Sequence, residues 1–328
     1  MATDKPFKNI EEQLDILTHR GLRILNMNAA AKLLTDYGYY EIINGYKYPF
    51  LIDKENDDAG FKEEASFEHI FGLYQFDANL RDCVISAIER FEDSFKQSLA
   101  YVVSSEISDE FANYTNSENF VPGNINKRGK SDRDFLIKKF NSVESLDHDP
   151  YKHYKEHHGN VPPWILVKGL SLGQTMYFFN LLKEQTIKEK VIARMTGQNI
   201  NTIKVLDEQL HLKQAFGDSL NLILAYRNLS AHGGRVYNYR SQKHQITTYS
   251  PFLYNNYSLV ASHSAFQRGE YRSSVRALLS CLTMMENTDP FINLRAWINV
   301  RINDHLKNYP EDEDYLLKTM ELDHKIIG

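Results

Sequence analysis

The most regular apolar pattern in the chain runs through Phe67, Ile70, Leu73, Tyr74, Leu80, Val84, Ala87, Ile88, Phe91, Phe95, Leu99 and Val102. Steps of three and four residues place these side chains on one face of a single long helix, with Ser66 positioned to cap it and Gly72 to bend it. A second helix is patterned differently. Leu212, Phe216, Leu220 and Ile223 form one stripe that Arg227 continues, and Leu222, Ala225 and Leu229 form another that His232 continues. A helix apolar nearly all round belongs in a core or an interface, so polar groups at its end would sit in shelter and need partners. Shorter helices are predicted around Leu14, Leu17, Leu22 and Leu25, and over Ala29 to Asp36 between an Asn28 cap and Gly38. Pro162-Pro163-Trp164 reads as a helix start, followed by helices over 164–184, 186–196 and 200–232, with Gly217 a candidate interruption. Beyond Gly233-Gly234 the region 245–260 is turn-rich or strand-like. Two or three helices follow, the last beyond Pro310.

Polar stretches separate these elements. Residues 51–64 are acidic and read as a solvated linker, and residues 104–132, with Pro122, Gly123 and Gly129, as a loop or inserted segment. The expected organisation is all-α. A helical arm and linker (1–65) precede a bundle (66–240) with an insert near 104–160, and a C-terminal helical extension (241–328) follows. Composition leaves this picture intact: 42% hydrophobic and 25% charged residues in a chain of 328 are ordinary for a folded protein. A net charge of −5 excludes a uniformly basic nucleic-acid binder but not a local basic groove. Two cysteines, Cys83 and Cys281, with no CxxC pair, fit a reducing compartment and exclude a disulfide scaffold or zinc ribbon. No segment approaches the ~20 apolar residues of a membrane span, and Met1 to Pro6 lack the apolar stretch of a signal peptide. The expected location is the cytoplasm.

Candidate chemistry concentrates in Arg227-Asn228-Leu229-Ser230-Ala231-His232. Asn228 and His232, four apart, share a helix face, and Arg227 lies about 140° round from His232, within reach of a long side chain. Gly233 and Gly234 end the helix, leaving His232 in the last turn, where the helix dipole favours a cation. A histidine can move the proton of a ribose 2′-hydroxyl, a guanidinium can hold a phosphate and stabilise its developing charge, and an amide can orient either. Attack by the 2′-oxygen on its own phosphodiester needs no metal and no cofactor. One histidine does not readily serve as base and acid in one turnover, so a single motif per chain points to a symmetric dimer.

From the six residues alone, an Arg and a His satisfying buried groups remain the alternative. The surroundings favour chemistry. From Ser219 to Gly269 there is no acidic residue, while Arg227, Arg235, Arg240, Lys243 and Arg268 interleave with Tyr226, Tyr237, Tyr239, Tyr249, Phe252, Tyr254 and Tyr257, a mixture suited to single-stranded RNA. Arg235, Tyr237, Arg240 and Lys243 are therefore candidate RNA contacts. Other clusters stay open. Tyr37, Tyr39, Tyr40, Tyr46 and Tyr48 are either packing under a loop or a stacking surface. Lys127, Arg128, Lys130, Arg133, Lys138 and Lys139 are either a solvated face or a secondary phosphate contact. His153 and His157 have an i, i+4 spacing that can hold zinc, without an HExxH motif or a Cys partner. No Walker-type loop or Gly-x-Ser-x-Gly elbow is present.

Several motifs also follow one another in a family order. Gly21-Leu22, Tyr39-Tyr40, the run Leu73 to Arg81, Glu89-Arg90-Phe91-Glu92, Pro163-Trp164 and Arg227 to His232 resemble the Abi-like (AbiD/AbiF) family of bacterial abortive-infection proteins over roughly residues 5–240. The resemblance implies a HEPN fold, a helical bundle whose ribonuclease members use an Arg-x4–6-His motif. Arg227 and His232 then look like the catalytic pair and Asn228 the adjacent polar residue. Glu92 and Lys96 resemble a supporting acidic–basic pair, although Gln97 stands where a second basic residue is often found. Asp77 and Arg81 also match the pattern. The family further implies a phage-defence or toxin-like role and a regulatory non-coding RNA as partner. A non-catalytic RNA-binding or protein-interaction module of the same bundle is the alternative.

Overall fold

The computed structural model describes residues 6–257 and 259–324. The stretch Met1 to Lys5, where no signal segment was expected, lies outside the described residues. The chain is all-α: among the described residues no strand forms, and extended pairing is confined to isolated bridges such as Leu51–Phe61 and Phe120–Leu182.

Helices α1 (Ile10–His19) and α2 (Met27–Tyr37) open the chain, and after short turns comes α3 (Phe67–Glu106). The next stretch holds α4 (Phe111–Tyr114), α5 (Asp132–Glu144), α6 (Tyr151–His158) and α7 (Pro163–Leu166). It leads into α8 (Leu172–Leu181), α9 (Gln185–Thr196), α10 (Ile200–Leu210) and α11 (Leu212–Ala231). The last part contains α12 (Pro251–Tyr254), α13 (His263–Gln267), α14 (Val275–Thr283), α15 (Asp289–Leu306) and α16 (Glu313–Met320).

Helix α3 is the spine. Its 40 residues span about 60 Å at 1.5 Å per residue. The Ser66 hydroxyl caps it by accepting from the His69 N–H at 3.2 Å. Helix α15 packs on it most extensively, followed by α11 and α9. Gly72 lies within the continuous α3. It lies under the ring of Tyr309, and a Cβ there would stand 2.4 Å from Tyr309 Cε2.

The last third of the chain is part of this core rather than an appendage. Every residue of α14 is buried, and one contiguous apolar cluster runs from Leu14 to Leu322. The acidic segment 51–64 is likewise not a free linker. Leu51 and Phe61 turn inward, the Ile52 N–H donates to Gly60 O at 3.1 Å and the Lys62 N–H to Phe50 O at 2.9 Å. Its carboxylates face outward to pair Asp57 with Lys47 and Asp58 with Arg20.

Three expected boundaries move for local reasons. Asn26, not Asn28, caps α2, accepting from the Ala29 N–H at 3.0 Å. The helix expected over 200–232 breaks at His211, whose φ is +54°, and Gly217 lies uninterrupted inside α11. The break is supported on both sides: Asp207 accepts from the Lys213 N–H at 2.8 Å, and the Ser250 hydroxyl donates to Leu210 O at 2.7 Å. The region 245–260 forms α12 and loops instead of strands, pinned to α11 where Asp218 accepts from the Thr247 N–H at 2.6 Å. No helix among the described residues is long and apolar enough to cross a membrane.

Candidate active site

The end of α11 is presented by a deeply anchored stem. Leu220, Leu222, Ile223 and Tyr226 are buried, and the Tyr226 hydroxyl donates to Ser273 O at 2.9 Å. Over the last turn the helix emerges. Arg227 is half-buried, while Asn228 and His232 are exposed, so the shelter expected for all three holds only for Arg227. The Arg227 guanidinium reaches the Asn228 side-chain oxygen at 3.5 Å, a marginal contact, and among the described residues it makes no ion pair.

The helix stop is built by two glycines with different duties. The His232 N–H donates to Asn228 O at 3.1 Å, and Gly233 takes a left-handed φ of +73°, which side chains disfavour. Gly234 returns its N–H to Leu229 O at 2.8 Å and passes so close that a Cβ would stand 2.3 Å from Leu229 Cδ1.

What fixes the segment after this stop is Asp77, a fully buried carboxylate on α3. It accepts from the Tyr237 N–H at 2.8 Å, the Val236 N–H at 3.0 Å, the Tyr46 hydroxyl at 2.7 Å and Arg81 Nη1 at 3.1 Å. Burial pushes its carboxyl above the ordinary value, against the opposing pull of the Tyr46, Tyr237, Arg81 and Val236 donors. Asp77 and Arg81 thus pair as a structural unit that ties the motif's exit to the spine.

Beside the motif, α3 and α11 enclose a groove of ≈ 710 Å³. Arg227, Ser230 and Ala231 line one wall, and Asp82, Ile85, Glu89, Glu92 and Asp93 the other. Glu92 forms its expected ion pair with Lys96 at 2.6 Å, both side chains largely shielded. Glu92 and Arg227 therefore share one groove, with Lys96 behind Glu92. Asp82 and Asp93 are not singled out by the sequence, and Glu89 only as part of the Glu89-Arg90-Phe91-Glu92 motif. Their spacing of seven and then four residues, with Ile85 between, is the signal that puts them on one face.

The expected RNA contacts fare unevenly. Tyr237 is 1% exposed, its ring packed near Tyr46 and its hydroxyl 3.2 Å from that of Tyr315; it offers no face to a base. Arg240 is engaged with Thr319 O at 3.0 Å and with Glu321 at 3.2 Å. Arg235 is exposed but donates to Gly45 O at 2.7 Å, and Lys243 is exposed. Tyr226 and Tyr254 are fully buried as well, so the aromatic–basic mixture is for the most part core tyrosines beside surface cations. Among the first cluster of tyrosines, Tyr46 is core while Tyr40 is 72% exposed. His153 and His157 lie on the exposed face of α6 with rings 4.7 Å apart.

A family model of Abi-like proteins matches residues 32–238, well over half of the chain. The chain belongs to the Abi-like family. Its matched span starts in α2, takes in α3 and α11, and ends just past the Asp77-tethered segment. Comparison with curated proteins and with solved structures returned no match. Membership of the Abi-like family supports a role in abortive infection, the defence against phage. Among the elements it does not match, α12 to α16 nonetheless complete the core against which α3 and α11 of this Abi-like chain are packed.

Proposed function

We propose that this Abi-like protein is a metal-independent endoribonuclease of the HEPN type, acting as a toxin-like effector in phage defence. The observation that carries the reading is the state of Arg227. Its guanidinium lines the groove and has no carboxylate partner among the described residues, next to exposed Asn228 and His232. A half-buried arginine without an ion pair keeps its donors for an anion.

In the proposed reaction His232 accepts the 2′-hydroxyl proton and the 2′-oxygen attacks the adjacent phosphorus. The bond to the 5′-oxygen then breaks, leaving a 2′,3′-cyclic phosphate and a 5′-hydroxyl. Arg227 binds the non-bridging oxygens and stabilises their added charge, and Asn228 orients the pair. The proton for the leaving oxygen comes from the His232 of a second protomer, in a homodimer that joins two motifs across one cleft. Four carboxylates on the α3 wall make a poor surface for phosphate, so RNA is expected to approach along the exposed Asn228–His232 face.

Purified protein should cleave RNA in EDTA with cyclic-phosphate ends. Arg227→Ala and His232→Ala should each lower the rate by about 10²–10⁴-fold without loss of helicity. RNA binding without cleavage in the unaltered protein would support the non-catalytic alternative. A fully active species that light scattering finds monomeric would remove the composite cleft.

A further inference from the structure

We propose that His69, His305 and Asp312 form a binding site for zinc that staples the C-terminal helices to α3. His69 stands in the first turn of α3, His305 in the last turn of α15, and Asp312 at the start of α16. Chain segments more than two hundred residues apart thus converge on one point. All three side chains are buried. Both imidazole Nε2 atoms address the same carboxylate oxygen, at 2.9 Å from His69 and 2.7 Å from His305, and the three donor atoms lie within 4.8 Å of one another.

The rings are held in place before any ion arrives. Tyr309 stacks on His69 with ring centres 4.0 Å apart and planes 6° from parallel, and Phe50 meets the His69 ring edge-on at 4.6 Å. Phe76 packs against His305 at 5.4 Å. Tyr309 is itself fixed, its hydroxyl donating to Glu68 O at 2.9 Å, with Gly72 leaving room for the ring.

The chemistry suits a borderline cation. Two imidazoles and a carboxylate are a recurrent zinc donor set. Zinc bonds of about 2.0–2.1 Å place tetrahedral donors roughly 3.3 Å apart, so each present contact needs to open by about 0.5 Å. The other nitrogen of His69, Nδ1, faces the Glu311 carboxylate at 3.7 Å. At that distance Glu311 is a neighbour of the far nitrogen rather than a hydrogen-bond partner, and a small turn of its side chain would bring it to the place a carboxylate usually takes behind a ligating histidine. Room for a fourth ligand exists, since His69 and Asp312 border a cavity of ≈ 330 Å³ lined also by Lys54, Lys62 and Glu311.

The site lies about 35 Å along α3 from Glu92, so it stands or falls apart from the ribonuclease reading. The test uses full-length protein stripped with EDTA. The exposed pair His153 and His157 is first removed as His153→Ala/His157→Ala, because it is a competing surface site. Calorimetric titration with Zn²⁺ should give one equivalent bound, and the melting temperature should rise by several degrees, reversibly with EDTA. Asp312→Asn and His305→Gln should each weaken binding about 100-fold or more and abolish the rise. Should either variant fail to fold, X-ray absorption at the zinc edge of the folded background protein decides, the expected result being two imidazole ligands. Less than a tenth of an equivalent bound, an undiminished rise in Asp312→Asn, or a shell without two imidazoles would each overturn the zinc site and leave a hydrogen-bonded clamp.

Discussion

Replacing Asp77 by alanine takes the acceptor away from four donors at once: the Tyr46 hydroxyl, Arg81 and the N–H groups of Val236 and Tyr237. Leaving buried donors and a charge unmatched costs about 3–5 kcal/mol, which urea unfolding would measure. Tyr46→Phe, which removes a single donor, should cost only about 0.5–1.5 kcal/mol. If Asp77 also positions the motif's exit, Asp77→Ala should lower kcat of RNA cleavage even at temperatures where the fold is intact; an unchanged kcat would confine it to stability. At this scale the sequence was informative about identity and silent about orientation. Arg227 and Glu92 were found by motif and do meet at one groove. Tyr237 departs from expectation because a tyrosine among basic residues has the same sequence signature whether its ring turns out to a base or in to Tyr46 and Tyr315.

Helices were legible wherever apolar spacing ran long, as in α3, and least where a boundary depended on a distant partner. Nothing near His211 marks a break, because the groups that support it include Ser250, far along the chain. Two glycines inside helices show how such partners reverse a local rule. Gly217 has no atom within 4 Å of a built Cβ, so Gly217→Ala should stabilise the protein by up to about 1 kcal/mol through helix propensity. Gly72→Ala gains the same propensity but drives a methyl into Tyr309. Overpacking of about 1–3 kcal/mol should outweigh it and destabilise the protein. Denaturant midpoints of the two variants should therefore move in opposite directions, and a shared direction would refute the close Tyr309 contact.

For the molecule as a whole, the division into arm, bundle and extension is not reflected in separate cores. Leu14, Ile70, Leu278, Ile298 and Met320 belong to one cluster. The sequence indicates two or three C-terminal helices but not where they dock, since docking is set by shape along α3 rather than by local spacing. A chain ending before Asp289 would bare the α3 face that α15 covers, so it should bind a hydrophobic dye and lose cooperative melting. Retention of a sharp transition would show that 1–288 folds alone.

The seam between α3 and α15 also has a meaning in time. A ribosome completes α3 about two hundred residues before α15, a delay of about 10–40 s at ordinary elongation rates. Throughout that interval the spine lacks its principal partner. A product that ends before α15 therefore lacks the main cover of α3, the helix on which α11 packs. If the last turn of α11 is the cutting edge proposed above and its setting depends on a covered α3, the effector is disarmed for as long as it is being made, and a broken message yields a harmless fragment.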